Sequence, residues 1–150
     1  MNEMIVKKFR AIREYELNMT QIELAKILKV HSSTISGWEN RKDFIPIKRI
    51  IQFANLFNYS LDYIFGLTTI NTHYNKIEVN LPKLANNLKM LRNMNNMTQE
   101  QVAKMLNTNQ NNYTHYETGT NIIPTSFLHE LTKIYKPFSI DALFGRKQIK

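Results

Sequence analysis

The sequence predicts an all-α protein that contains two copies of one small helical module. The first observation is a repeat: the segment TQIELAK at residues 20–26 returns as TQEQVAK at residues 98–104, which is 78 positions later. The second is that apolar residues recur at helical spacing in both copies, whereas the one alternating stretch, residues 77–81, lies between them. Because this period exceeds the roughly 20 to 50 residues of a solenoid repeat, each copy is expected to be a domain with its own core.

The repeat also sets the expected domain boundaries. Trp38-Glu39 returns as Tyr116-Glu117, and the register shifts by one residue at Pro137. We expect an N-terminal domain of residues 1–66, a short linker of residues 67–81, and a C-terminal domain of residues 82–150 that ends in a short basic tail. Since the linker contains few Gly or Ser residues, it is not a typical flexible tether, and both packing on a domain and pairing with a partner chain stay open.

Five short helices are expected in the first copy. Thr20 and Glu23 have the spacing of a capping box, Pro46 is placed at a helix start, and Ser60 can cap a final short helix. The five elements are a first helix with Ile5, Phe9 and Ile12 on its apolar face, a second from Thr20, a third after residues 31–33 that ends at residues 40–43, a fourth from Pro46, and a fifth from Ser60 through Phe65.

The second copy predicts the same five elements. Thr98 again caps the second helix, whose inner face is expected to contain Val102, Met105 and Leu106. The elements are a first helix from Pro82 with Leu84, Leu88 and Leu91 inside, a second from Thr98, a third from about Gln110 to Glu117, a fourth from Pro124, and a fifth from Ser139 through Phe144.

Composition narrows the class of protein. Cysteine is absent, which excludes disulfides and thiolate metal sites, and we expect no metal and no cofactor. No apolar run approaches the roughly 18 residues of a membrane span and the first residues do not resemble a signal peptide, so a cytoplasmic protein without a membrane partner is expected. The net charge of +8 suits a polyanionic partner, and charge kept for solubility is the alternative.

An enzyme is not expected. The four histidines show no i, i+4 ligand spacing; they are His31, His73, His115 and His129. The chain also has no cysteine nucleophile and no Gly-rich loop that would hold a phosphate. A binding protein is the expected class.

Both copies contain Thr-Gln-x-x-x-Ala, a short turn, a Ser/Thr/Asn-rich helix that ends in an aromatic residue and Glu, and then a helix led by Pro. This pattern resembles the phage repressor and Cro-like (XRE) family of helix-turn-helix transcriptional regulators over most of the chain. The resemblance implies two tandem five-helix domains of the lambda-repressor type, whose third helix enters the major groove of double-stranded DNA. It implies a bacterial or phage regulator, more often a repressor in this family, with an operator as partner.

Three departures from the family pattern concern the backbone. The family usually has Gly in the turn between the second and third helices, where this chain has Lys29 and Asn107, and Asn tolerates a left-handed backbone far better than Lys. After the third helix the second copy keeps Gly119, whereas the first has Arg41. The first copy also has one extra residue before its second helix, so its first helix is expected to run longer or to bulge.

The resemblance also assigns the residues that face DNA bases. They are Gln110, Asn111 and His115 in the second copy and Ser32, Ser33 and Gly37 in the first. Amide and imidazole side chains can distinguish bases, whereas Ser discriminates weakly and Gly not at all. The C-terminal copy is therefore expected to carry most of the base readout. A solvated polar face is the alternative interpretation of this Asn-rich cluster.

The resemblance assigns two supporting sets of residues. Phosphate contacts, near the amide end of the second helix and after the third, are expected from Gln21, Gln99, His31, Asn109, Asn40, Arg41, Lys42, Thr118 and Thr120. Structural pairs that hold the third helix are expected between Arg13 and Glu39 and between Arg92 and Glu117. A plain helix cap is an equal alternative for His31, and the tail at residues 146–150 either attracts DNA or is frayed.

Two functions stay open from the sequence. One is a sequence-specific DNA-binding regulator; the other is a protein-interaction module, such as an antitoxin or an inhibitor of a nucleic-acid-processing enzyme, that binds a protein partner through the N-terminal copy. The oligomeric state is also open, because one chain already presents two modules. A homodimer through apolar groups expected to be exposed near the fifth helices, Tyr63, Ile64 and Leu143, is at least as plausible.

Overall fold

The computed structural model describes residues 3–136 and 138–149. Within these residues the protein is all-α, as the sequence predicts, and it has no strand beyond one isolated β-bridge between Tyr74 and Gln148. The chain divides into two compact units, Met1–His73 (unit 1) and Tyr74–Lys150 (unit 2). Pro137, at which the repeat shifts its register, lies outside the described residues.

The described part of unit 1 contains five α-helices and one π-helical turn. The helices are α1 (Glu3–Ala11), α2 (Gln21–Leu28), α3 (Ser32–Glu39), α4 (Ile47–Phe57) and α5 (Leu61–Ile64), and the π-helical turn (Ile12–Glu16) follows α1 directly. The hydroxyls of Thr20 and Ser60 accept hydrogen bonds from the amides of Glu23 and Tyr63, each at 3.1 Å. These caps satisfy amides that a helix start leaves unpaired, and so they fix where α2 and α5 begin.

The π-helical turn accommodates the extra residue of the first copy. The amide of Leu17 donates to the carbonyl of Ile12 at 2.8 Å, and the amide of Met19 donates to the carbonyl of Arg13 at 2.9 Å. Both bonds span more residues than the i to i−4 bond of an α-helix, which is how a π-bulge takes up an insertion. The expected bulge in the first helix is confirmed.

Aromatic packing holds α3 in unit 1. The ring of Phe9 in α1 lies edge-on to the ring of Trp38 in α3, with centroids 6.0 Å apart, and 4.9 Å from the ring of Phe53 in α4. Ile35, one turn before Trp38, is fully buried. Trp38 is therefore a packing residue, and this packing turns the opposite face of α3 toward solvent.

The described part of unit 2 contains five α-helices. They are α6 (Leu81–Met94), α7 (Gln99–Met105), α8 (Gln110–Glu117), α9 (Thr125–Ile134) and α10 (Ile140–Leu143). Asn80 caps α6, since its side-chain oxygen accepts from the amide of Lys83 at 3.1 Å. In the core, Tyr113 of α8 is fully buried, and its hydroxyl oxygen lies 3.5 Å from that of Tyr135. The inner face of α8 is thus fixed by aromatic residues, as in α3.

The two halves of the expected linker pack on different units. The side chain of Asn71 accepts from the amide of Ser60 at 2.8 Å and donates to the carbonyl of Asn58 at 3.2 Å, both in unit 1. The amide of Asn75 donates to the carbonyl of Lys147 at 2.9 Å, and the amide of Lys147 donates to the Asn75 side chain at 2.7 Å. The tail is therefore held against unit 2 at Lys147, and the interpretation of a frayed end is wrong there.

A buried ion pair that the sequence analysis did not predict anchors the start of the tail. Nη1 of Arg146 donates to Oδ1 of Asp141 at 2.9 Å, and both side chains are almost fully buried. The guanidinium carbon also lies 5.5 Å from the ring centroid of Tyr74. Arg146 is a structural residue of unit 2, because its charge is compensated inside the domain.

Three apolar residues differ in burial from what the sequence predicts. Met105, expected inside α7, is 55% exposed, whereas Ile64 and Leu143, expected at the surface, are 0% and 3% exposed. A helix of four residues contains too little periodicity to identify its inner face, and Met105 is the last residue of its helix. The expected dimer contact through Ile64 and Leu143 is therefore wrong.

Replacing Lys29 by Asn is expected to stabilise unit 1. Lys29 ends α2 in the left-handed region at φ 60°, and Asn107 adopts φ 58° at the same place in unit 2. Because Asn tolerates this region better than Lys, Lys29→Asn should raise the free energy of unfolding by about 0.5–1 kcal/mol. Urea unfolding followed by the fluorescence of Trp38, the only tryptophan, measures this. Lys42→Asn, at an exposed loop position, is the control; equal shifts for both variants would contradict the prediction.

Candidate nucleic-acid interface

A complete capping box fixes the start of α7 in unit 2. The hydroxyl of Thr98 accepts from the amide of Gln101 at 3.1 Å, and the side chain of Gln101 accepts from the amide of Thr98 at 2.9 Å. In unit 1 only half of the box forms: Thr20 accepts from the amide of Glu23, and its hydroxyl donates to the Glu23 carboxylate at 3.1 Å. The second helix therefore begins at the same point of the repeat in both units.

Gln99, the first residue of α7, links this helix to α8. Its Nε2 donates to Oε1 of Glu117 at 3.2 Å, and its Oε1 accepts from the hydroxyl of Thr114 at 2.9 Å. In unit 1, Gln21 makes the first of these bonds, to Glu39 at 3.1 Å. Both glutamines predicted to bind phosphate thus lie against the third helix. In Gln99 both the nitrogen and the oxygen of the side-chain amide are hydrogen-bonded to α8.

Thr114 is a site residue that the sequence analysis missed. Its single hydroxyl proton faces two acceptors, because Oγ1 lies 2.9 Å from Oε1 of Gln99 and 2.8 Å from the carbonyl oxygen of Gln110. Its counterpart in the repeat, Ser36, instead accepts from the side chain of Asn40 at 3.1 Å. Four-residue spacing from Gln110 was the signal that could have identified Thr114, because residues i and i+4 share one face of a helix.

The exposed face of α8 carries the three predicted base-facing residues of unit 2. Gln110 and Asn111 are exposed in the first turn, and His115 is half-buried one turn further on. The opposite face is buried through Tyr113 and Tyr116. A buried aromatic face and a solvent-facing amide face on one eight-residue helix give a rigid polar surface.

The corresponding face of α3 is smaller. Ser33 is exposed, Ser32 is half-buried, and Gly37 is buried. His31 occupies the cap position of α3 without a capping bond from its side chain, whereas Asn109 caps α8, its oxygen accepting from a first-turn amide at 2.7 Å. The simple cap interpretation therefore fits Asn109 and not His31.

The loops after α3 and α8 hold the remaining residues that were predicted to contact phosphate. In unit 1, Arg41 forms an ion pair with an acidic residue of α1, Asn40 donates to a serine of α3, and Lys42 is exposed. In unit 2, the hydroxyl oxygens of Thr118 and Thr120 lie 2.9 Å apart, and both residues are exposed. Lys42 is the one of these five that combines exposure with a positive charge and has no described salt bridge.

A bidentate ion pair holds the third helix in each unit, from the π-helical turn that continues α1 in unit 1 and from α6 in unit 2. Arg13 donates to Glu39 through Nε and Nη2, both at 2.7 Å, and Arg92 donates to Glu117 in the same way at 2.8 and 2.9 Å. The Glu side chains are 1% and 2% exposed. Each Arg also donates through Nη1 to the carbonyl of the methionine that precedes the second helix. Three elements of each domain therefore meet at one carboxylate.

Hydrogen bonding decides the ionisation of this carboxylate in unit 2. Burial raises the pKa of Glu117, but hydrogen bonds from Arg92, Tyr113 and Gln99 lower it, and the net result is a pKa below the usual value. The hydrogen bond with Glu117 likewise raises the pKa of Arg92. Both partners are charged at neutral pH, so the pair is an ion pair.

Neither a metal site nor a membrane-spanning helix occurs in the described part of the chain. Within residues 3–136 and 138–149, no three His, Asp or Glu side chains lie close enough together to hold a metal ion. In the same residues, no helix has the length and the apolar composition needed to cross a bilayer.

Comparison with known families agrees with this geometry. A family model described as "Helix-turn-helix" matches residues 9–64, and one described as "Helix-turn-helix domain" matches residues 85–143. No curated protein and no solved structure matches the chain. The fold and the two matches define a DNA-binding regulator with two helix-turn-helix domains. The two matches in tandem support a helix-turn-helix regulator of the XRE type.

Removing the guanidinium of Arg92 is expected to destabilise unit 2 strongly. Arg92→Ala leaves Glu117 buried without its bidentate partner, and breaking such a pair from one side costs about 3–5 kcal/mol. The loss is measured as the change in urea midpoint by far-UV circular dichroism. Trp38 fluorescence reports unit 1 in the same experiment, and its transition should stay unchanged. A loss below about 1 kcal/mol, which is typical of exposed pairs, would contradict the assignment.

The stability of unit 2 is expected to fall in acid partly through Glu117. Its pKa is lower in the folded protein than in the unfolded chain, so its contribution is complete above the unfolded pKa of about 4.3 and is lost as the pH falls through the folded pKa. Urea unfolding at about six pH values between about 3 and 7 measures how the free energy of unfolding depends on pH. Glu117→Gln should weaken this pH dependence, whereas Glu100→Gln, at an exposed position of α7, should leave it unchanged.

Proposed function

We propose that this protein is a transcriptional repressor that binds a short double-stranded operator, with α8 carrying most of the base readout. The observation that supports this best is the outward face of α8, where Gln110 and Asn111 stand exposed in the first turn and His115 follows one turn later. A side-chain amide offers a donor and an acceptor together and so matches N6 and N7 of adenine, and an imidazole N–H can donate to the acceptors of guanine.

The contrast between the two third helices supports unequal roles. At the base-facing positions of α3, the two serines can each make single hydrogen bonds to many acceptors, and Gly37 has no side chain. Unit 1 is therefore proposed to add affinity through the DNA backbone and shape, with a smaller part in base selection. Exposed Lys42 and the hydroxyls of Thr118 and Thr120 are proposed as phosphate contacts beside the helix amides.

DNA binding is tested by titrating the protein against a random duplex and against the DNA upstream of its own gene at several salt concentrations. If roughly 6 to 10 phosphates are neutralised, affinity should fall by about 10³ to 10⁵ between about 50 and 200 mM salt. The upstream DNA should bind more tightly than the random duplex at every salt concentration. Weak binding to both, with no dependence on salt, would contradict the proposal.

The unequal roles are tested with one substitution in each third helix. Gln110→Ala should cost about 1–3 kcal/mol at a single base position of the preferred duplex, because a bidentate contact is lost. Ser33→Ala removes one weakly discriminating hydroxyl and should cost much less. Both side chains are exposed, so the fold should be unaffected, which circular dichroism checks. Equal losses in the two variants would reject the division of roles.

A second candidate function is a protein contact through unit 1. Ile22 in the first turn of α2 is 61% exposed, and Phe44 in the loop after α3 is 55% exposed. The outer face of α3 carries only small polar side chains, and the same unit exposes these two apolar residues, so unit 1 is a candidate surface for another protein, such as the partner of an antitoxin. Salt-independent binding to DNA, together with loss of a co-purified partner in Ile22→Glu, would favour this function over the repressor.

A further inference from the structure

An acidic side chain lies over the base-facing surface of α3. Asp43, in the loop after this helix, is exposed. A Cβ atom built on Gly37 would lie 3.2 Å from Oδ2 of Asp43, and the Asp43 amide donates to the Gly37 carbonyl at 3.4 Å. The carboxylate therefore lies in tight contact with the point where a side chain at residue 37 would begin. A glycine at this position leaves the room that the carboxylate occupies.

The same loop in unit 2 shows the alternative arrangement. His115 is the counterpart of Gly37, and Asn121 is the counterpart of Asp43. The backbone frame is shared, because the Asn121 amide donates to the His115 carbonyl at 3.2 Å. In unit 2 the helix itself supplies a side chain at the base-facing position; in unit 1 the following loop supplies one. The base-facing position thus carries an imidazole in unit 2, whereas in unit 1 the nearest polar group is a carboxylate 3.2 Å from where a Cβ would lie.

The Asp43 carboxylate can distinguish between the four bases. Among the residues that the structure describes, its carboxylate has no hydrogen-bond or salt-bridge partner, and Arg41 nearby in the sequence is paired with Glu3. An ionised carboxylate only accepts hydrogen bonds. In the major groove, guanine and thymine present acceptors to it, and adenine places the N7 acceptor beside its amino group. Cytosine presents the N4 amino group alone, which is the partner that an acidic side chain selects.

We propose that Asp43 is a base-reading residue of unit 1, accepting a hydrogen bond from the N4 amino group of one cytosine in the operator. This inference rests on the proposed function, because it requires α3 to enter a major groove. Of the three base-facing positions of unit 1, Gly37 has no side chain to contact a base, and Asp43 in the loop would make the contact in its place. Lys42, exposed beside Asp43, offsets the repulsion between the carboxylate and the DNA phosphates.

The experiment selects bound duplexes from a randomised pool with the full-length protein and with Asp43→Asn, Asp43→Ala and Gly37→Ala. The unsubstituted protein should retain one C·G pair, and exchanging that pair should lower affinity about 10-fold. Asp43→Asn should shift that position toward A·T, because an amide pairs with adenine, and Asp43→Ala should lose the preference there alone. Gly37→Ala should weaken the same preference moderately, since a Cβ 3.2 Å from Oδ2 would shift the carboxylate by a few tenths of an ångström.

Two controls separate recognition from charge. Lys42→Ala should lower affinity for all duplexes equally, and Glu78→Gln removes one negative charge at an exposed position of the linker and should leave the preferences unchanged. Unaltered Trp38 fluorescence verifies that unit 1 is folded in every variant. If Asp43→Asn and Asp43→Ala raise affinity for every duplex and keep all preferences, the carboxylate only repels DNA and this inference alone is overturned. If no duplex is enriched, both the inference and the proposed function fail.

Discussion

The buried bidentate pair between an arginine of the first helix and a glutamate of the third is the constraint on which each domain depends. A carboxylate that is 1 or 2% exposed is stable only while all its partners remain in place, because an unpaired buried charge is very costly. The same arginine binds the carbonyl before the second helix, and the glutamine that begins the second helix binds the same glutamate. The angle between the second and third helices is thus set within the protein, before any ligand is present.

This arrangement separates what holds the third helix from what the helix presents. The inner face is occupied by Ile35 and Trp38 in unit 1 and by Tyr113 and Tyr116 in unit 2, all buried. The outer face bears no part of this packing, so its composition can change at little cost in stability. Amide side chains on α8 and small residues on α3 are two outcomes of that freedom, on equivalent backbones.

Sequence was sufficient for features that depend on local chemistry. Caps such as Thr98 and Ser60 and the long periodic helices were predictable because they involve residues three or four positions apart. Contacts that depend on how elements pack were less accessible: the Asp141–Arg146 pair and the bond from Thr114 to Gln99 were missed. The pairs of Arg13 with Glu39 and of Arg92 with Glu117 were predicted only through the family resemblance. The inward position of Ile64 was also missed, because a one-turn helix has too few residues to define a face.

The π-helical turn at the end of the first helix bears on how a duplicated gene diverges. One added residue in a regular α-helix rotates everything beyond it by about 100°, which would separate the arginine from its glutamate. Here the surplus residue is confined to a single wide turn, and the flanking partners meet as they do in the shorter copy. A difference of one residue in chain length at this point therefore leaves the ion pair intact, so the two domains can differ in length here and still hold their third helices in the same way.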